Sequence, residues 1–402
     1  MMRRLALLAG VAALLGPGIA SAQTARQIHE KLIALDTHLD TPANFAVSGW
    51  DIMDRHAYAD DGSQVDYPRM VEGGLDGGFF AVYTPSGERT AAGDIKARDY
   101  AIVRATEIRE MVAKHGDKFQ LALKADDAAA INKAGKKIVF MSMENSQPVE
   151  GDLSLMKTFY DLGVRMMSPA HFRNNDLGDS ATDKPEWNGL SPKGRQFVAE
   201  ANRLGIILDA SHASDQVLEQ MIAQSTTPIV LSHSGVKAVF DHPRNVDDAH
   251  LKLLAAKGGV IQMNAYSGYM VPQVNIPERT AALAALRKEF GDGDDLTADK
   301  RKAMMARRRE IEARWPVPRA TFEDFMAHLL HAIRLVGVDH VGIGLDMDGG
   351  GGVVGLEDVA SNWKISERLL KEGYTPADLQ KIWSGNVLRV MKQVEAAKAP
   401  AA

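Results

Sequence analysis

The chain has 402 residues, with 47 basic and 52 acidic side chains, a formal charge of -5 and no cysteine. Acids and bases are interspersed, so there is no basic stripe of the kind nucleic-acid binding requires. Without cysteine there can be no disulfide, thiolate nucleophile, thiolate metal ligand or lipid-modified cysteine, and any metal must be held by His, Asp or Glu.

In chain order, Met1-Met2-Arg3-Arg4 is followed by an apolar run from Leu5 to Leu15 and a small-residue site at Ala20-Ser21-Ala22. This is the layout of a cleavable secretory signal, and the run falls short of the ~20 residues that cross a bilayer. Residues 1–22 are therefore read as a signal peptide, which makes the protein secreted, periplasmic and without a stable membrane anchor. The rest, about 380 residues, is within the size of a single barrel with insertions.

Short apolar or β-branched runs bounded by turn residues predict eight strands: Leu32 to Leu35, Gly78 to Tyr83, Ile138 to Met143, Val164 to Ser168, Gly205 to Leu208, Pro228 to Leu231, Gly259 to Met263 and Val341 to Gly344. Helical spacing lies between them, over Asp94 to His115, Lys193 to Leu204 and Ser214 to Gln224. Strand alternating with helix implies an α/β fold with a parallel sheet, and eight units imply closure into a (β/α)8 TIM-like barrel spanning 23–395. The charged stretch 277–319, with Arg307-Arg308-Arg309, is predicted to be a helical hairpin inserted before strand eight. It is read as a lid, an oligomer contact or a merely solvated pair of helices. The Ala/Lys/Pro stretch 396–402 is predicted to be a disordered tail.

In such barrels the active site lies at the carboxyl ends of the strands. Asp36, His38 and Asp40 follow strand one, Glu144 sits near the end of strand three, and His171 lies beyond strand four. Asp209 and His212 follow strand five, His233 strand six, Asn264 strand seven, and Asp346 and Asp348 strand eight. Any one of these histidines alone reads as a packed structural residue. Together on one rim they point to a metal site.

His38 and Asp40, two apart in an extended segment, point to one side and could grip one ion. His212 and His233, from adjacent strands, could hold a second, with Glu144 bridging the two. Such a donor set suits Zn²⁺, and Mn²⁺ or Co²⁺ would also fit. Two ions lower the pKa of a shared water and polarise a scissile carbonyl, which permits amide hydrolysis without a serine or cysteine nucleophile. Asp346 is the candidate to move the proton, against a turn residue or metal ligand as its bland alternative. His171, left over from the metal set, is the candidate to hydrogen-bond the developing oxyanion. Arg244, one loop from His233, could clamp a substrate carboxylate with two parallel hydrogen bonds, or could simply be solvated.

These motifs, taken in order, resemble the membrane dipeptidase (renal dipeptidase) family of amidohydrolase-like metallopeptidases, in particular its secreted bacterial members. The resemblance rests on Asp36-Thr37-His38-Leu39-Asp40, Asp66-Tyr67-Pro68-Arg69 through Gly77-Gly78-Phe79-Phe80, and Gly163-Val164-Arg165 leading to His171. It continues through Gly205-Ile206-Ile207-Leu208-Asp209-Ala210-Ser211-His212, Ser232-His233-Ser234 with His242-Pro243-Arg244-Asn245, His340 through Gly349, and Gly385-Asn386-Val387-Leu388-Arg389-Val390. It implies a two-zinc centre on His38, Asp40, Glu144, His212 and His233, His171 and Asp346 in catalysis, and Arg244 on the substrate carboxylate. Dipeptides are the implied substrates, often with a D-residue tolerated at the carboxyl-terminal position, and a homodimer is one implied assembly.

Three features depart from the family pattern. Glu144 is followed by Asn145-Ser146 where the family has two glycines, so the loop over the metals is expected to differ. The family's Thr before the strand-four histidine is Ala170. No cysteine is present for the disulfides of vertebrate members. Alternatives left open by the residues are a barrel metallohydrolase of lactones, cyclic amides or phosphoesters, a non-catalytic periplasmic binding protein, and an interaction module built on the insertion.

Overall fold

The computed structural model describes residues 23–291 and 296–399. The expected signal peptide and residues 400–402 of the expected tail lie outside them. Ten strands are present among the described residues: β1 (Leu35–Leu39), β2 (Gly77–Tyr83), β3 (Phe119–Leu121), β4 (Lys137–Glu144), β5 (Val164–Met167), β6 (Ile207–Leu208), β7 (Val230–Val236), β8 (Asn245–Val246), β9 (Val260–Met263) and β10 (Val341–Ile343). All their ladders are parallel.

Two sheets run β1-β2-β4-β5-β6 and β10-β9-β7-β8, with β3 added beside β4. Single parallel bridges join them at both seams, Asp209 to Val230 between β6 and β7 and Leu39 to Met347 between β1 and β10. At these seams Ala210 N–H donates to Val230 O and Asp40 N–H to Met347 O, each at 2.9 Å. The result is the expected (β/α)8 barrel, in ring order β1-β2-β4-β5-β6-β7-β9-β10, with β3 and β8 as short additions that the periodicity had not signalled.

Two buried carboxylates brace the seams. Asp36 accepts the amides of His38 (3.0 Å) and Leu345 (3.1 Å), tying β1 to the end of β10. Asp209 accepts the amides of Ser211 (2.9 Å) and Ser232 (2.8 Å) and the Ser232 hydroxyl (2.6 Å), tying β6 to β7. Both therefore act on backbone, where the sequence had placed them only on the rim.

The helices begin and end as their sequences dictate. Pro192–Leu204 has Ser191 as its cap, with the side chain accepting from Gly194 N–H, Pro192 in the first turn, and Gly205 in the left-handed region (φ 75°) closing it. The last helix, Asn386–Ala397, runs two residues into the stretch expected to be a frayed tail. It packs Val387, Val390, Met391 and Val394 against Leu35, Phe79, Phe140, Met166, Ile207, Val230 and Val260. Leu35, Val230 and Val260 are the first residues of their strands, so this helix closes the amino-terminal end of the barrel.

The insertion forms two helices, Pro277–Phe290 and Ala298–Arg314. It does not project into solvent as a solvated pair. A Ser48–Thr297 bridge and a hydrogen bond from Arg301 Nε to Asp61 O (2.6 Å) fasten its second helix to loops above β1, and Met305 is buried against Gly62. The hairpin thus roofs the carboxyl-terminal mouth.

Candidate metal centre

His38 lies within β1, Glu144 is the last residue of β4, and His233 is within β7. Each had been expected at or just beyond its strand's end. The strands run further than the apolar pattern because ladder hydrogen bonds are made by backbone, whatever the side chain. Three central groups thereby gain a rigid mount.

The other groups sit on strained turns. Among the described residues, five non-glycine residues have positive φ, and four of them are on this rim: Asn145 (63°), His212 (68°), Asp346 (64°) and Asp348 (67°). Such conformations cost free energy in a chain of L-residues and persist where the surroundings over-determine them. Asn tolerates this region better than most side chains, so Asn145 can hold the turn without a glycine. Its side chain donates to Thr84 O (2.7 Å), while Ser146 Oγ donates to Ser168 O (2.7 Å), pinning the loop to the ends of β2 and β5.

The expected ligands converge on Glu144. Its Oε2 lies 3.4 Å from His38 Nε2, and its Oε1 lies 3.0 Å from His212 Nε2, 3.4 Å from His233 Nε2 and 3.7 Å from His171 Nε2. Asp40 Oδ2 is 3.4 Å from His38 Nε2. Three sets of potential ligand atoms fall within metal-binding reach: His38, Glu144 and His233; Glu144, His171 and His212; and His38, Asp40 and Asp346. All of these side chains are buried except Asp40, which is partly exposed.

Protonation follows from burial and neighbours. Burial pushes His212 and His233 well below the usual histidine range, and nearby positive groups add to it, so both rings are neutral. Burial also lowers His171. Burial opposes ionisation of Glu144, but His38 and His171 together with hydrogen bonds from His212 and His38 outweigh it and hold the carboxylate ionised. His38 is the converse: burial would lower it, and the Glu144 and Asp40 charges raise it well above normal. Asp346, fully enclosed, is pushed up to about 8, with Asp40 and Glu144 adding to burial against the opposing His38 charge.

The fit to a cation can be tested on the orientation of lone pairs. Ser232 Oγ donates to Asp209 and lies 2.8 Å from His233 Nδ1, so Nδ1 carries the ring proton and Nε2 presents its lone pair to the centre. There it meets His212 Nε2 at 2.8 Å. His38 Nε2 and Asp40 Oδ1 are buried with no hydrogen-bond partner. Nitrogen and oxygen donors turned on one another in this way fit a divalent cation.

Arg244 is buried beneath the rim, with Nη2 donating to His233 O (3.0 Å), its guanidinium 5.2 Å from the Tyr269 ring centre, and Nε without a partner. It is therefore not the solvated loop arginine. Asn264 donates to Asp346 Oδ2 (3.2 Å). Asp348 is outside the cluster, accepting instead from Thr41 Oγ1 (2.7 Å) and Gln64 N–H (2.6 Å) to hold the β10 loop. A side chain at Gly349 would collide with the Asp40 and Asp346 carboxylates.

Reading the sequence for imidazoles and carboxylates overlooked the phenols. Tyr83, at the end of β2 and paired in register with Glu144, sets its ring edge-on to His171 at 5.0 Å. Tyr266 and Tyr269, following β9, set their rings 4.5 Å apart at a tilt of 48°, beside Asp346 and Arg244. The strand-end rule that located the histidines would have found all three.

Comparison with known proteins places this geometry. The family model described as Membrane dipeptidase (Peptidase family M19) matches residues 22–402. Dipeptidase tcpJ of Claviceps purpurea is 32% identical over 340 residues, covering 82% of this chain and 69% of the relative. Dipeptidase verJ of Clonostachys rogersoniana is 28% identical over 378 residues, covering 90% and 84%. The crystal structure of the probable dipeptidase PvdM from Pseudomonas aeruginosa superposes with a TM-score of 0.78 at 29% identity, covering 93% of this chain and 98% of that one.

Proposed function

Because this chain belongs to the membrane dipeptidase family, Peptidase family M19, whose members are dipeptide hydrolases, we propose that it is a two-zinc dipeptidase acting on L,L- and L,D-dipeptides. The observation that carries the two-metal reading is the division of Glu144: one carboxylate oxygen faces His38 and the other faces His212 and His233. One ion would be held by His38, Asp40 and Glu144, the other by Glu144, His212 and His233. When bound, the pair supplies a water of lowered pKa and polarises the scissile carbonyl.

The chain's own groups do the rest. Arg244 holds the substrate's terminal carboxylate and fixes the peptide bond over the centre. His171, neutral and close to Glu144, donates its N–H to the oxygen that becomes negative as the carbonyl carbon turns tetrahedral. Asp346, which a cation held beside it by His38 and Asp40 would keep as the carboxylate, takes a proton from the attacking water and returns it to the leaving amine nitrogen. One water is consumed and two amino acids leave. Among the described residues no helix is long and apolar enough to cross a membrane. With residues 1–22 read as an export signal, the periplasm is the proposed place of action.

The test is hydrolysis of a small panel of L,L- and L,D-dipeptides by the zinc-loaded protein. Free amino acids should appear, and should disappear on chelation and in Asp346→Asn. A protein shown to hold two ions yet inert towards the whole panel would overturn the reading in favour of lactones or cyclic amides.

A further inference from the structure

The hairpin roof encloses a cavity of about 620 Å³ between Tyr83 and Pro85 of the barrel and Leu286, Arg287, Met304 and Arg308 of the hairpin. A second cavity of about 260 Å³ lies on the other flank of the same two residues, Met304 and Arg308, and reaches Asp348 and Gly350. Arg308 therefore lines both spaces. Tyr83 leads to Glu144 and His171, and Gly350 follows the Asp346 turn.

Among the described residues lining the larger cavity there are two arginines and no carboxylate. Glu312 accepts from Arg308 Nε at 2.8 Å and is also approached by Arg279 at 3.8 Å, so one carboxylate serves two guanidinium groups. The Nη atoms of Arg308 make no hydrogen bond among the described residues. Two donors of a planar fork are thus presented beside a cleft.

Ring order says which end of a substrate would reach this cavity. Arg244 binds the backbone of β7, and Tyr83 ends β2, four strands away in a ring of eight. A dipeptide whose carboxylate rests on Arg244 and whose peptide bond lies over the centre must direct its amino-terminal residue towards Tyr83. The cavity beyond then receives that residue's side chain.

We propose that Arg308, assisted by Arg287, selects the amino-terminal side chain of the substrate, and that the preferred dipeptides carry a carboxylate there, as those beginning with glutamate or aspartate do. This rests on the dipeptidase reading above. The insertion is then the roof of a specificity pocket, with a cationic group directed at an anionic one.

The test compares kcat/KM for Glu-Ala, Gln-Ala and Leu-Ala in the metal-loaded protein, in Arg308→Gln and in Arg308→Glu. The wild type should favour Glu-Ala over its neutral isostere Gln-Ala about tenfold, chiefly through KM, and Arg308→Gln should bring that ratio to about one. Arg308→Glu should favour Gln-Ala over Glu-Ala, a reversal that misfolding cannot produce. Cleavage of all three peptides without preference for Glu-Ala, or a preference that survives Arg308→Gln, overturns this inference and leaves the dipeptidase reading standing. Failure of the wild type to cleave any of the three overturns this inference, and failure on the whole L,L- and L,D-panel overturns both.

Discussion

The two ends of the barrel are built on opposite principles. At the amino end, Phe79 and Phe140 stack at 4.9 Å and the last helix seals an apolar plug. At the carboxyl end, imidazoles and carboxylates face one another with potential ligand atoms within 4.8 Å, two of them on left-handed turns. One end supplies packing and hydrophobic burial, which stabilise the fold. The other concentrates strain and desolvated polar groups, which only a tightly packed scaffold can hold in place. Stability and chemistry are thus separated along the barrel axis, and variants at the two ends should fail in different ways.

The largest effect is expected at the plug. Phe140→Ala should lower unfolding free energy by about 3–5 kcal/mol in urea titration, while kcat per folded molecule stays near wild type. At the rim the pattern reverses. Arg244→Gln should raise KM for dipeptides by about 100-fold, because a carboxylate loses its charged fork, and Arg244→Lys should recover little of it.

A third test uses pH and lies away from the rim. His29 is buried between Ser366 Oγ (2.7 Å) and Gly73 O (3.0 Å), and burial lowers its pKa from 6.5 to about 4. The folded chain keeps this ring neutral where the unfolded chain protonates it. Its contribution to stability is therefore fully present above pH 6.5 and is lost as pH falls towards 4, on the order of 2 kcal/mol by pH 5. Urea midpoints at pH 7 and pH 5 should show the loss, and His29→Gln should reduce it.

The smallest effect separates two variants of one residue. Asn145→Ala should be less stable than Asn145→Gly by about 1 kcal/mol, because both lose the bond to Thr84 and only alanine bears the left-handed backbone cost. Equal stabilities would mean that φ at this turn relaxes when the side chain is removed.

The same division explains what could be read from the sequence. Apolar runs located the strands of the ring, but the first was placed at Leu32 to Leu35 when it runs Leu35–Leu39, and the sixth was ended at Leu231 when it continues to Val236. Both errors fall where a strand carries site residues, Asp36 and His38 in one and His233 in the other. Buried polar side chains imitate a loop in the hydrophobic pattern, and local rules fail where function overrides them. Strands β3 and β8, of three and two residues, each carry a polar residue, Gln120 and Asn245, and so show no apolar run. The rim cluster was legible because each barrel strand delivers its end to one face. The burial of Arg244, the seam-bracing roles of Asp36 and Asp209 and the roofing of the mouth by the hairpin depend on contacts between distant segments, which spacing does not encode.

The central claim is that the carboxyl end gathers two metal ions on a shared Glu144. It is tested most directly by the metal content of the chain after equilibration with zinc, compared with that of Glu144→Ala. The account predicts two ions per chain in the wild type and fewer than one in the variant, with the unfolding midpoints of the metal-free forms similar. A wild type that holds one ion or none, or a variant that still holds two, would contradict it.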